Sequence, residues 1–349
     1  MGAAAGPPLR WKLTDDDGGQ PELFDTVERV PGTRELAGLE FLHVRAKRVI
    51  NRVPNASRMP FRFTINPYRG CSHACVYCFA RPSHSYLNLN TGSDFDTRIV
   101  VKVNAVERVR AELGARSWTG ELIALGTNTD PYQPCEGRYR LTRGILQAFV
   151  DTGNPFSIVT KSPLIERDLD LLVAATRSGS VHVDISVGCL DHSVWRSTEP
   201  HAPSPARRLQ TVTALTDAGV SCGVLVAPVL PGISDDDQQL DRLVHAAVHA
   251  GARSIATVPL HLRPGVREHY LEWLGESHPD LLPDHMRRFR TSYQPDDDRR
   301  TLAARVQELA ATHRRQANRV GGLPRTPRRQ RPAPDPAHST RAEDQLRLL

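Results

Sequence analysis

The sequence lacks any apolar run approaching the length of a membrane-spanning helix, which excludes a helical membrane anchor or channel. Its N-terminus, Met-Gly-Ala-Ala-Ala-Gly-Pro-Pro, has no basic stretch followed by an apolar core, so no secretory leader is expected and the expected location is the cytosol. Cysteine is scarce, six in 349 residues, and Cys135, Cys189 and Cys222 stand alone along the chain. In a cytosolic chain of this size, disulfides are not the expectation; metal binding or catalysis is. The body also lacks a charge excess. From Arg314 onward nine arginines face Asp335, Glu343 and Asp344, a balance of +6 that equals the net charge of the whole chain. A globally basic nucleic-acid-binding body is therefore not indicated.

What is present is one dense feature. The stretch Asn-Pro-Tyr-Arg-Gly-Cys-Ser-His-Ala-Cys-Val-Tyr-Cys-Phe over residues 66–79 carries Cys71, Cys75 and Cys78 in the spacing Cys-x3-Cys-x2-Cys. Three thiolates on one short loop suit three irons of a [4Fe–4S] cluster, which usually has four cysteine ligands. Three ligands leave one iron open to a substrate or cofactor. A structural zinc site is the alternative, but it needs a fourth ligand. His73 or His84 would have to serve, because the chain has no second Cys-x2-Cys pair. Tyr77, immediately before the third cysteine, can pack against a nucleoside base.

Elsewhere, short β-branched or apolar runs (61–65, 99–103, 122–125, 156–160, 181–187, 223–229, 254–258) alternate with stretches of helical periodicity (105–113, 141–151, 165–176, 205–218, 235–250). Ser234 before three aspartates reads as a helix start, and Gly219 as a helix stop. Alternating strands and helices predict a parallel α/β sheet of about six units. The expected fold is a partial (β/α)6 TIM-like barrel, with a doubly wound sheet as second choice. Four parts are expected: a poorly ordered N-terminal segment (1–45), the barrel (46–265), a C-terminal helical extension (266–313) and a disordered Pro/Arg-rich tail (314–349). Ligand sites in either fold lie at the C-terminal ends of the strands. That rule nominates the turn 126–132, with Asp130, then Lys161, Ser186, the segment 229–232 and His261. Each also has a structural reading, as do His73 and His84.

The cysteine loop, together with Ala-Lys-Arg-Val-Ile-Asn-Arg-Val-Pro at 46–54, the turn 126–134 and Trp-Arg-Ser-Thr-Glu-Pro at 195–200, resembles the radical S-adenosylmethionine superfamily. Within it, the match is to the spore-photolyase-like branch, in particular to uncharacterised actinobacterial-type members, over about residues 45–300. The resemblance implies an enzyme of lyase or oxidoreductase type. It would use a [4Fe–4S] cluster to cleave S-adenosylmethionine reductively to a 5′-deoxyadenosyl radical, which abstracts hydrogen from a substrate. It further implies that Cys71, Cys75 and Cys78 ligate iron and that Gly126, Thr127 and Asn128 meet the methionyl amino group. Lys161 and Ser186 would bind the methionyl carboxylate, Arg196 would be a second carboxylate or ribose contact, and Asp130 would touch ribose or substrate. A flavodoxin- or ferredoxin-type electron donor is implied as partner, and nucleic-acid repair or modification is one implied activity. The chain departs from the branch at one place. Spore photolyases carry a hydrogen-donating cysteine where Gly126 or Thr127 stands, and Cys135 follows several residues later as a candidate substitute. The competing reading is a zinc-stabilised protein without catalytic activity that holds nucleic acid through its Arg-rich tail.

Overall fold

The computed structural model describes residues 24–54, 59–178 and 181–320. Eleven strands are described: β1 (Phe24–Pro31), β2 (Glu40–Ala46), β3 (Ile50–Arg52), β4 (Phe63–Ile65), β5 (Tyr68–Arg69), β6 (Arg98–Lys102), β7 (Ile123–Leu125), β8 (Phe156–Thr160), β9 (Val181–Ser186), β10 (Cys222–Val229) and β11 (Ile255–Pro259). The helices are α1 (Ser93–Thr97), α2 (Ala105–Leu113), α3 (Glu136–Tyr139), α4 (Leu141–Thr152), α5 (Leu169–Ser178), α6 (His192–Thr198), α7 (Pro205–Asp217), α8 (Asp237–His249), α9 (Arg267–Ser277), α10 (Leu282–Arg288) and α11 (Asp296–Val320). None is long and apolar enough to cross a membrane.

The main sheet has the order β11-β10-β9-β8-β7-β4-β3. Its six strands from β4 to β11 are mutually parallel and neighbours in chain order, and β3 runs antiparallel on the β4 edge. This is the expected open (β/α)6 arrangement, in which helical crossovers join parallel strands. Alternation along β9 shows how the sequence sorts the two faces: Val181, Val183 and Ile185 are buried in the main apolar core, while His182, Asp184 and Ser186 share the other face. The β11 edge is covered by α11, whose Gln307 side chain donates to the Ile255 carbonyl at 2.7 Å.

Three expectations are corrected. The run 99–103 is not a barrel strand. As β6 it lies in a second, four-stranded sheet of order β1-β2-β6-β5, parallel to β2 and antiparallel to β5. A continuously buried apolar run fits any interior strand, so its pattern does not say which sheet it joins. Within the segment expected to be poorly ordered, β1 and β2 form the remainder of that sheet, with Phe41, Leu42 and Val44 fully buried. Burying each such side chain is worth about 1.5–3 kcal/mol, enough to offset the entropy of ordering its residue. Finally, α8 is capped by Asp236, whose carboxylate accepts from the backbone N–H groups of Gln238 and Gln239 at 3.0 Å. Ser234 instead closes the preceding turn, its hydroxyl accepting from Leu230 N–H at 2.9 Å. Gly219 does end α7, at a φ of +82°.

The C-terminal extension comprises α9, α10 and α11. Helix α11 continues past Arg314 to Val320, and its Ala317 is buried in the main core. Residues 1–23 and 321–349, the rest of the expected end segments, lie outside the described residues.

At the rim of the barrel, Gly126 follows β7 with φ +86°, and a Cβ there would run into the Val159 carbonyl oxygen on β8. Gly126→Ala must therefore force β7 and β8 apart. We expect a stability loss of about 3 kcal/mol or more, read from the denaturant midpoint. An unchanged midpoint would show that the rim yields freely.

Candidate functional site

The cysteine loop leaves β5 at the C-terminal rim of the parallel sheet. Gly70 opens it at φ +85°; a side chain there would meet His84 Cε1 and the Phe95 carbonyl oxygen, each at 2.9 Å. Cys71 N–H donates to that Phe95 carbonyl at 3.0 Å. Ala74 takes a left-handed conformation, and two turns close the loop: Ala74 N–H to Cys71 O and Cys78 N–H to Cys75 O, both 3.2 Å.

Side chains from distant segments satisfy the remaining backbone groups, as buried polar groups require. Arg81, fully buried, donates from Nε and Nη2 to the Cys75 carbonyl at 3.1 and 2.9 Å, and from Nη1 to the carbonyls of Thr91 and Gly92. Its charge is met by Asp96 at 2.9 Å. Gln133 accepts from Ser72 N–H at 3.1 Å and donates to Gly70 O at 3.0 Å. Val76 N–H donates to Thr198 O at 3.0 Å, fastening the loop to the end of α6. None of these partners announces itself in the sequence: Arg81, Gln133 and Thr198 carry no spacing signal.

All three cysteines are free thiols, Cys71 and Cys75 buried and Cys78 half-buried. Burial pushes the Cys71 thiol well up, with Asp130 and the other two thiols adding to it. Burial likewise raises Cys75, to about 12, and Cys78. Burial thus favours the neutral form of each thiol, and a metal bound there would have to displace the protons. This donor set fits a three-ligand cluster better than zinc. The two histidines available as a fourth zinc ligand are engaged elsewhere: His73 Nδ1 lies 3.4 Å from Asp130 Oδ2, and His84 Nε2 pairs with the Arg98 carbonyl at 2.9 Å. Among the described residues no three His, Cys, Asp or Glu side chains converge as a single ion requires.

The opposite wall comes from the ends of β8 and β9. Lys161 Nζ donates to Ser186 Oγ at 2.7 Å, and Ser186 passes its own proton to the Ala227 carbonyl at 3.0 Å. The ammonium lies 5.7 Å from the centroid of the Tyr77 ring and 3.7 Å from Glu199 Oε1. Glu199 in turn accepts from the Tyr77 hydroxyl on Oε1 and from Arg208 on Oε2. Burial pushes the Glu199 carboxyl up, but Arg208, Lys161 and the Tyr77 hydroxyl outweigh it and hold it down to about 2. The structure therefore brings Cys71, Cys75, Cys78, Tyr77, Lys161 and Ser186 together. It adds Glu199 and Arg208, which sequence reasoning missed as site residues.

Gly126, Thr127 and Asn128 sit half-buried at the same rim, ordered by Asn66, which donates to Thr127 Oγ1 at 3.2 Å and accepts from Asn128 N–H at 3.0 Å. Four nominated residues have other contacts in the geometry. Asp130 spends Oδ1 on Tyr132 N–H and the Thr160 hydroxyl and Oδ2 on Lys161 N–H, joining the ends of β7 and β8. Arg196 is exposed on α6, its guanidinium 5.2 Å from the Trp195 ring centroid, outside the network. Cys135 is fully buried in the main core, and burial pushes its thiol well up. His261 stacks on Tyr293 at 4.1 Å between centroids.

Comparisons with known proteins place the chain in one superfamily. A family model described as "Radical SAM superfamily" matches residues 65–244. An uncharacterised protein of Mycobacterium tuberculosis is 44% identical over 302 residues, covering 86% of this chain and 88% of the relative. Among solved structures, a spore photoproduct lyase mutant with dinucleoside spore photoproduct superposes with a TM-score of 0.56 at 18% identity, over 83% of this chain and 85% of that one. A second, with bound AdoMet and dinucleoside spore photoproduct, gives 0.55 at 17% identity, over 83% and 85%. The chain belongs to the radical SAM superfamily, whose members use a [4Fe–4S] cluster and S-adenosylmethionine.

Proposed function

We propose that this chain is a radical S-adenosylmethionine enzyme in which Cys71, Cys75 and Cys78 hold the cluster and Lys161 with Ser186 receives the methionyl carboxylate. The observation that carries the reading is the Lys161–Ser186 pair, 2.7 Å apart, facing the cysteine loop across the Tyr77 ring. An ammonium and a hydroxyl at two adjacent strand ends suit a carboxylate. When bound and reduced, the cluster supplies the electron that splits S-adenosylmethionine into methionine and a hydrogen-abstracting 5′-deoxyadenosyl radical. The protein's residues bind and orient. Gly126, Thr127 and Asn128 border the place for the methionyl amino group, on an edge that Asn66 keeps in shape. The Asp130 carboxylate fixes the backbone of Lys161 and so aims its side chain. Arg196 is left out of this set, and a flavodoxin- or ferredoxin-type protein is the electron source.

The named neighbours with bound dinucleoside spore photoproduct favour a nucleoside or nucleic acid as substrate. Thymine-dimer repair through a donor cysteine is not favoured. Gly126 or Thr127 occupies the donor's place, and Cys135 is sealed in the core. The reading is a modification reaction in which hydrogen is removed from a nucleoside unit.

Anaerobic reconstitution should load about four irons and four sulfides per chain, and reduced protein should then release 5′-deoxyadenosine from S-adenosylmethionine. Cys75→Ala should abolish both. One tightly held zinc without sulfide would sink the assignment.

A second expectation separates the two walls. Lys161→Ala should keep its iron but weaken S-adenosylmethionine binding by about 10- to 100-fold, the worth of a hydrogen bond to a charged group. Arg196→Ala should bind within about twofold of the unaltered protein, since losing an exposed contact outside the network costs little. Equilibrium dialysis measures both.

A further inference from the structure

The 3.7 Å between Lys161 Nζ and Glu199 Oε1 is longer than a charge-assisted hydrogen bond. Both groups are largely buried, and attraction in such surroundings pulls a cation and a carboxylate together. Something holds them apart. Glu199 has two oxygens, and each is committed elsewhere. Oε2 receives Arg208 Nη2. Arg208 is itself pinned by Nη1 on the Ser186 carbonyl at 3.1 Å and Nε on the Pro203 carbonyl at 2.8 Å. Oε1, the oxygen that faces Lys161, receives the Tyr77 hydroxyl. The carboxylate is thus held at both ends.

Lys161 has three N–H donors. One is placed on Ser186 Oγ, which is a pure acceptor here because its own proton goes to Ala227. A fully closed bond to Glu199 would take a second and neutralise the ammonium against an internal carboxylate. A ligand carboxylate would then have to compete with it.

We propose that the Tyr77 hydroxyl acts as a latch. Together with Arg208 it restrains Glu199 short of closing on Lys161 and so keeps the ammonium available to an incoming carboxylate. The proposal rests on the reading of Lys161 as the methionyl-carboxylate contact. It assigns Tyr77 a positioning role through its hydroxyl, distinct from any packing of its ring. It also places that latch on the cysteine loop, between Cys75 and Cys78, so the loop that holds the metal also sets the state of the lysine across the site.

The test is a double-mutant cycle in equilibrium dialysis of S-adenosylmethionine against reconstituted protein, with binding normalised to iron content. Tyr77→Phe keeps the ring and frees Oε1 to close on Lys161; affinity should fall by about tenfold, the size of one charged hydrogen bond. Glu199→Gln removes the competing charge, and its own affinity is the reference for the second arm of the cycle. In the Glu199→Gln background, Tyr77→Phe should have no effect, because there is nothing left to restrain. Glu199→Gln leaves Arg208 buried without its counter-charge. If that variant does not fold, Glu199→Gln with Arg208→Gln supplies a background that lacks both charges.

Several results overturn the latch. They are Tyr77→Phe with unchanged affinity, an equal loss in both backgrounds, or Tyr77→Phe that no longer loads iron. The underlying reading is judged separately by Lys161→Ala. If that variant binds as the unaltered protein does, Lys161 is not the carboxylate contact, whatever Tyr77→Phe shows.

Discussion

The buried pair of Glu199 and Arg208 is the constraint on which the rest of the site depends. Arg208, 1% exposed, cannot remain in the interior without an anion, and Glu199 supplies it. Removing one partner of such a pair leaves an uncompensated charge at a cost of about 3–5 kcal/mol. The pair also spans the architecture. Arg208 lies on α7 and bonds the end of β9, Glu199 follows α6, and Thr198 beside it accepts from the backbone of the cysteine loop. The loop is thereby joined to the barrel rim rather than being an excursion from it.

A second guanidinium does the same on the other flank. Arg81 answers the carbonyls of Cys75, Thr91 and Gly92, adding a charged donor to the turn N–H groups of Cys78 and Phe95 that already reach Cys75 and Gly92. Arg81, Gln133 and the left-handed turn at Gly70 thus fix the backbone of the loop through protein contacts. A metal bound by the three thiols would have to displace the protons that burial holds on them.

Much of this was legible in the sequence. The cysteine spacing, the six parallel strands and the rim positions of Lys161 and Ser186 follow from motif, period and the strand-end rule. The residues that organise the site were not legible, for a physical reason. Tyr77 and Glu199 are 122 positions apart, and Ser72 and Gln133 are 61 apart. Their pairing is a product of the fold, and no local period encodes it. Arg81 and Arg208 look like ordinary surface arginines, since that residue type is seldom buried. Asp130 illustrates the converse: a polar residue at a strand end serves equally as ligand contact or as loop brace, and its partners here are Tyr132, Thr160, Lys161 and His73. Residues 24–46 were underestimated because the parallel partner of β2, β6, lies more than fifty residues later, beyond the reach of a local pattern.

The charge count of the wall bears on what it can receive. Lys161 and Arg208 are cations, Glu199 and Asp130 anions, so the groups linked here sum to zero while the positive end is gathered at Lys161 and Ser186. A methionyl group brings a carboxylate and an ammonium of its own. On the proposed reading, a neutral but polarised wall offers complementary ends to that carboxylate and ammonium, leaving only the sulfonium charge of S-adenosylmethionine to be met elsewhere. A wall with an unbalanced cation would bind simple anions instead. If Lys161 is the carboxylate contact we propose, specificity for an amino-acid end comes from separating balanced charges along the rim, a separation kept by Glu199 staying with Arg208 and off Lys161.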